Sequence, residues 1–93
     1  MALSFEWDPA KAASNLAKHG VSFESAATAF GDPRALTIPD PAHSQMESRF
    51  ILLGQTSHAL IVVVVHVQRG DRIRLISARR ASRKERKMYA ETP

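Results

Sequence analysis

The sequence predicts an α+β fold: a small, mostly antiparallel sheet with two N-terminal helices on one face and a C-terminal helix, in the order β-α-α-β-β-β-β-α. Three observations predict it. Apolar residues recur at helical spacing through Ala12, Ala13, Leu16 and Ala17, and again through Phe23, Ala26, Ala27 and Phe30. From Ala35 onward they are β-branched or aliphatic instead, in short runs separated by Pro, Gly, Ser and Asp. After Ser82 the chain turns polar, with the spacing of a helix cap.

Each element has its own signal. Phe5, Glu6 and Trp7 make a short first strand. Asp8-Pro9 then gives an N-cap followed by proline at the first helical position. Lys18-His19-Gly20 stops this helix, placing cations at its C-terminal dipole and a glycine where left-handed backbone is needed. Ser22 caps the second helix, and Gly31 ends it before Asp32-Pro33. Strands are expected from Ala35 to Ile38, Arg49 to Leu53 and Leu60 to Val67, with Asp40 to Glu47 as a polar loop. Arg69-Gly70-Asp71 is a hairpin connection to a last strand in which Arg72, Arg74 and Ile76 alternate with Ile73, Leu75 and Ser77. Ser82 and Glu85 form a capping box for a helix that is polar nearly all round apart from Met88 and Tyr89.

Two helices on one face leave the other face of the sheet as the working surface. On the fourth strand Val62, Val64 and His66 share one side, and Ile61, Val63 and Val65 the other. His66 is therefore expected to emerge from an apolar strand near its end, beside the basic hairpin.

Composition narrows the class. At 93 residues, positions 1–93 fit a single domain, with no internal repeat or linker. The apolar fraction of 44% and charged fraction of 24% suit a globular protein rather than a disordered one. A chain this small has a modest core that a partner subunit would stabilise. Absence of cysteine removes disulfides and thiolate chemistry and fits a reducing cytoplasm. Met1 to Glu6 lacks the features of a signal peptide, and the longest apolar run, Ala59 to Val65, is far short of the ~18 residues of a membrane helix. A cytoplasmic protein without membrane contact is expected.

The charge is polarised. Residues 1–68 carry four basic and six acidic side chains, whereas residues 69–93 carry nine basic and three acidic ones. This basic stretch reads first as a strand and then as a helix, so it presents its charge to a polyanion on a folded surface. Arg69, Arg72, Arg74, Arg80 and Arg83 are the expected RNA-binding residues. RNA cleavage needs a deprotonated 2′-hydroxyl, a stabilised phosphate charge and a protonated leaving oxygen, all of which side chains can supply without metal. His66, close to the hairpin arginines and to Arg79, has the right chemistry for proton transfer. Arginine suits the phosphate because its planar fork donates two hydrogen bonds. Asp8, Asp32, Asp40 and Glu47 are scattered over helix ends and loops, which argues against a metal-dependent nuclease. Motifs for nucleotide cofactors, zinc hydrolysis and serine hydrolysis are missing, so no cofactor is expected.

Structural readings compete with each of these. His19 serves equally as a helix C-terminal cation, His43 as a loop residue, and His66 as the hydrogen-bonded neighbour of a strand. Glu85 is explained by capping, and the Arg83 to Lys87 run by a solvated helix face. Arg49 has the alternative of pairing with Glu47 or Asp40. Phe5 and Trp7 read as core rather than as base-stacking platforms, and Tyr89 either anchors the last helix or touches substrate.

Several segments together resemble one family. Phe5-Glu6-Trp7-Asp8, Lys18-His19-Gly20-Val21-Ser22-Phe23-Glu24, Phe30-Gly31-Asp32-Pro33, Glu47-x-Arg49 and Arg72-x-Arg74-x-Ile76-Ser77-Ala78-Arg79-Arg80-Ala81 resemble the BrnT toxins, once described as a domain of unknown function. The resemblance spans nearly the whole chain. It implies a RelE-like fold, similar to the RelE and ParE toxins, and a ribonuclease toxin of a type II toxin-antitoxin pair that blocks translation. A separate DNA-binding antitoxin, BrnA, would neutralise it in a hetero-oligomer and with it repress their operon, so that operator DNA is met only through that complex. Carried over by position, the resemblance implies His66 as acid or base and Arg49 and Arg79 as phosphate ligands. Lys18, His19, Glu47 and Tyr89 are further catalytic candidates. The alternative is a basic module that holds nucleic acid or a partner without cutting, and a gyrase-directed toxin of the ParE kind is a third reading.

Overall fold

In the computed structural model, which describes residues 3–42 and 48–93, the capping chemistry of the sequence is realised in hydrogen bonds. After strand β1 (Ser4–Glu6), the Asp8 carboxylate accepts the Ala10 N–H at 3.0 Å and Pro9 opens helix α1 (Pro9–His19). Gly20 ends it at φ 70°, a left-handed conformation that costs glycine little, and its N–H donates to the Leu16 carbonyl. Ser22 accepts the Ser25 N–H at 3.0 Å and opens α2 (Phe23–Thr28). The predicted second helix tightens at its end, where Ala29–Gly31 form a 3₁₀ turn that carries Phe30.

The strands are β2 (Leu36–Pro39), β3 (Arg49–Gln55), β4 (Ile61–Arg69) and β5 (Arg72–Arg80), and α3 (Arg83–Ala90) follows. They form one sheet in the order β1-β5-β4-β3-β2. Three neighbouring pairs are antiparallel, while β1 runs parallel to β5, with Phe5 opposite Ile73. A parallel pair needs a long crossover, and here everything between β1 and β5 supplies it. The predicted element order holds. Arg79 and Arg80 are the last two residues of β5. Between Val65 and His66 the register slips: Val65 faces Ser77 but His66 faces Leu75, leaving Ile76 as the extra residue of a bulge.

Helices α1 and α2 cover one face. There Val21, Phe23, Ala26 and Ala29 pack on Leu52, Val62, Val64, Ile73, Leu75 and Ala78, with Phe5 and Trp7 partly buried against them. The second face is not wholly open, because α3 packs on one end of it, closing Leu53, Val63, Ala81 and Tyr89 into a smaller cluster. Gly54 marks the close approach of β3 to the segment before β2, since a Cβ there would lie 3.0 Å from Ala35 Cβ. No helix among the described residues is long and apolar enough to cross a membrane.

The helix α1 packs differently from its apolar pattern. Leu16 is 50% exposed, and the buried position is Asn15, at 7%. Beyond Arg74 the strand β5 has lost β1 as its neighbour, so its edge N–H and C=O groups need other partners. Asn15 supplies them: its Nδ2 donates to the Ala78 carbonyl at 2.8 Å and its Oδ1 accepts the Ala78 N–H at 3.0 Å. The same amide also donates to the Val21 carbonyl at 2.9 Å. One side chain thus stands in for a strand and fixes α1 against the sheet edge.

Candidate nucleic-acid interface

Side chains alternate across a strand, so register decides which residues share a face. The pairs Arg49 with Val67 and Val67 with Arg74 set these residues in one cross-strand row, continued by Glu6 on β1. Arg69 faces Arg72 at the hairpin end of the same face. Farther along, Leu53, Val63 and Arg79 form a second row, beside α3. The face partly covered by α3 therefore bears Arg49, Arg69, Arg72, Arg74 and Arg79. Arg49 and Arg79 are separated by two strand spacings and four residues, roughly 16 Å between Cα atoms at ~4.8 Å per strand and ~3.3 Å per residue. They can grip successive parts of one polyanion, while a single phosphate lies between rather than under them.

Both groups of cations are held by carboxylates. Arg74 Nη1 lies 3.1 Å from Glu6 Oε2 and Arg72 Nη1 3.5 Å from Glu6 Oε1. The Arg74 hydrogen bond outweighs the burial of Glu6 and keeps its carboxyl below the ordinary value. Arg79 makes a two-pronged bond to Glu85, Nη1 to Oε1 at 2.8 Å and Nη2 to Oε2 at 2.9 Å. Glu85 Oε1 also accepts the Ser82 N–H at 2.8 Å, while Ser82 Oγ accepts the Glu85 N–H, completing the predicted capping box. Chiefly through Arg79, the Glu85 carboxyl is lowered to about 2. This bond engages the Nη1–Nη2 end of the guanidinium, and among the described residues Nε–H makes no hydrogen bond. The Nε–Nη2 edge remains a second fork suited to a phosphate.

His66 does not emerge as predicted. It is 4% exposed, on the face covered by α1 and α2, stacked on Phe50 with ring centroids 5.9 Å apart and edge-on to Phe30 at 4.8 Å. Its Nδ1–H donates to the Val64 carbonyl at 3.3 Å. Burial lowers its pKa, and the Val64 bond only partly opposes this, so the neutral ring is favoured. Adjacent strand residues point to opposite faces, which puts His66 across the sheet from Arg49 and Arg79. Phe30, contributed by the 3₁₀ turn, seals it from water.

Tyr89 acts as an anchor. It is 5% exposed, and its hydroxyl donates to Asp32 Oδ2 at 2.6 Å, with the Arg34 guanidinium 5.3 Å from the ring centroid. Burial tends to raise the Asp32 carboxyl, but the Tyr89 hydroxyl and the N–H groups of Arg34 and Gln55 prevail and lower it. Arg80 faces Val62 and so lies on the opposite face from Arg79, exposed. Arg83 is exposed on the first turn of α3. Lys18 and His19 are not on the arginine face; they line a groove of about 200 Å³ between α1 and β5, with Lys11, Ser14, Asn15, Ile76 and Ser77. Glu47 and His43 lie outside the described residues.

Sequence reasoning missed Glu6 as the carboxylate that orders Arg72 and Arg74, because parallel pairing of β1 with β5 has no local signature. It also missed Lys11 and Ser14, although their spacing from Lys18 on α1 was a readable signal. Beside α3 a second groove of about 160 Å³ is apolar, lined by Leu36, Ile38, Ile51, Leu53, Val63, Glu85 and Met88. No group of three His, Asp or Glu side chains converges among the described residues as a metal ion would require.

Comparison with known proteins agrees with this architecture. The family model of the ribonuclease toxin BrnT of type II toxin-antitoxin systems matches residues 7–85. The 1.1 Å crystal structure of the Brucella abortus ribonuclease toxin BrnT superposes with a TM-score of 0.68 at 26% identity, covering 88% of this chain and 100% of that one. No curated protein matches at the sequence level. With the matched segment running from Trp7 through the sheet and its arginine face to Glu85, the chain belongs to the BrnT family of ribonuclease toxins.

Proposed function

We propose that this protein is a metal-independent endoribonuclease toxin, cytoplasmic, whose RNA cleavage inhibits translation. The observation that carries the reading is the arginine face, on which Arg49 and Arg79 are oriented toward the same side of one sheet in a chain of this family. In the reaction, the 2′-oxygen gives up its proton and attacks the adjacent phosphorus to form a cyclic phosphate, while the bond to the 5′-oxygen breaks and that oxygen takes a proton from water. Charge grows on the phosphate oxygens, where forked cations stabilise it most. Arg79, aligned end-on by Glu85, offers its Nε–Nη2 edge to that phosphate. Arg49, Arg74, Arg72 and Arg69 hold the backbone on the hairpin side. His66 is given a structural role by its burial. We assign proton abstraction to Glu47, the carboxylate two positions before Arg49 in the sequence.

The same reading includes a BrnA-type antitoxin that covers the toxin and with it represses their operon. The apolar groove beside α3, where Ile38 is 56% and Met88 51% exposed, supports a protein partner. A second reading has one observation in its favour: the buried His66 lies across the sheet from Arg49 and Arg79, which suits a module that binds RNA without cutting it. Cleavage of labelled RNA in EDTA separates the two. Cutting by the wild type that is lost in Glu47→Gln and Arg79→Ala supports the enzyme, whereas binding with intact RNA in every lane supports the module.

A further inference from the structure

We propose that the groove between α1 and the edge of β5 is a second phosphate-binding site, which holds a stretch of RNA backbone leaving the arginine face; this rests on the ribonuclease reading above. Lys11, Ser14, Asn15 and Lys18 are spaced three, four and seven residues apart, so they form one stripe along α1. Lys11 and Lys18 stand roughly 10 Å apart along the axis at ~1.5 Å per residue, a span that meets more than one phosphate. Among the described residues neither lysine forms an ion pair, and no carboxylate lines the groove. Three basic side chains, counting His19, thus converge on one concavity with no counter-charge, an arrangement that an anion relieves.

The opposing term is the C-terminal end of α1, equivalent to about half a negative charge. Two full lysine charges outweigh it, and the Gly20 N–H already occupies the Leu16 carbonyl there. The amide of Asn15 is used up on Ala78 and Val21, so it shapes the floor and leaves binding to Lys11, Ser14, Lys18 and His19. Ser77, which also lines the groove, precedes Arg79 by two residues on β5. A strand crossing the sheet edge at Ser77 passes from the Arg79 fork directly to the lysines. The lining holds no Phe, Tyr or Trp, so the site reads backbone charge and not base identity.

The test is the salt dependence of binding to a fluorescein-labelled, fully 2′-O-methylated RNA, which cannot be cut because its 2′-oxygens are blocked. Each phosphate contact on a single strand contributes a slope of about 0.7 in log K against log salt. The double variant Lys11→Ala/Lys18→Ala should reduce the slope by about 1.4, with an unchanged melting temperature because both side chains are exposed. The control, Lys84→Ala/Lys87→Ala on α3, removes the same charge outside the groove and should change the slope by less than half as much. An unchanged slope in the groove variant, or an equal loss in the control, overturns the site while leaving the RNA reading in place. No binding by the wild type overturns both.

Discussion

The two faces of the sheet are built from the same strands yet do opposite work. On the face under α1 and α2, the side chains that the helices cover are apolar, and His66 is buried neutral between Phe30 and Phe50. On the other face only one end is covered, by α3, and five arginines alternate with the core residues of the same strands. The difference teaches that alternation lets a 93-residue chain use each strand twice, once for stability and once for charge. Substitutions on the first face should change folding with little effect on RNA, and those on the second the reverse.

The largest effect is expected where the covered face is fastened to the sheet edge. Asn15→Ala leaves the Ala78 N–H and C=O and the Val21 carbonyl without their partner, which should cost about 3 kcal/mol in urea unfolding. A loss below about 1 kcal/mol would mean that water replaces the amide and that the fastening is dispensable. Next comes Arg79→Lys, which keeps the charge but loses the fork. Charged hydrogen bonds contribute ~1.5–3 kcal/mol, so cleavage should fall roughly 10- to 100-fold, while the melting temperature should fall no further than in Glu85→Gln, which weakens the same ion pair. Full activity in this variant would break the assignment of the arginine face.

His66→Phe sharpens the comparison from the other side, since an apolar ring fits between Phe30 and Phe50. Stability at pH 8 should change by less than about 1 kcal/mol and RNA cleavage should persist. The wild type should also show an acid sensitivity that the variant lacks. The folded-state pKa of His66 is lowered, so the unfolded chain binds the proton more readily; its contribution is complete above about 6.5 and is lost progressively as the pH falls from there toward the lowered folded-state value. Loss of cleavage by a folded His66→Phe protein would return the histidine to the mechanism. The smallest effect belongs to Glu85→Gln, which keeps a capping side chain at the start of α3. The Glu85 carboxyl lies at about 2 against an ordinary 4.5, so its contribution is present above about 4.5 and disappears as the pH falls toward 2. Melting temperatures measured across that range should decline less steeply in the variant than in the wild type.

Much of the fold was legible because its signals are local. Asp8-Pro9, Ser22, Gly20 and the Ser82–Glu85 box are read from a few residues, and the hydrogen bonds bear out each of them. The placing of Phe5 and Trp7 against the core was equally legible, and they pack edge-on to Phe30 and Phe23. The site was half legible. Arg49, Arg72 and Arg74 could be put on strands, but that they share a face with Arg79 depends on pairing across β3, β4 and β5 and on the bulge at Ile76. Without this extra residue, Arg74 and Arg79 would point to opposite sides, five positions apart in a period of two.

What the sequence determined by itself was the element order, the caps, the turn at Gly70 and the concentration of positive charge after residue 68, all set by interactions within a few residues. Tertiary structure alone decided the rest: β1 pairs parallel with β5, Asn15 rather than Leu16 turns inward, and His66 is sealed under Phe30 while the arginines face out. The reason is that burial and facing follow from contacts between residues distant in the chain. A histidine, an asparagine or an arginine carries no local mark of the side on which its strand or helix will be covered.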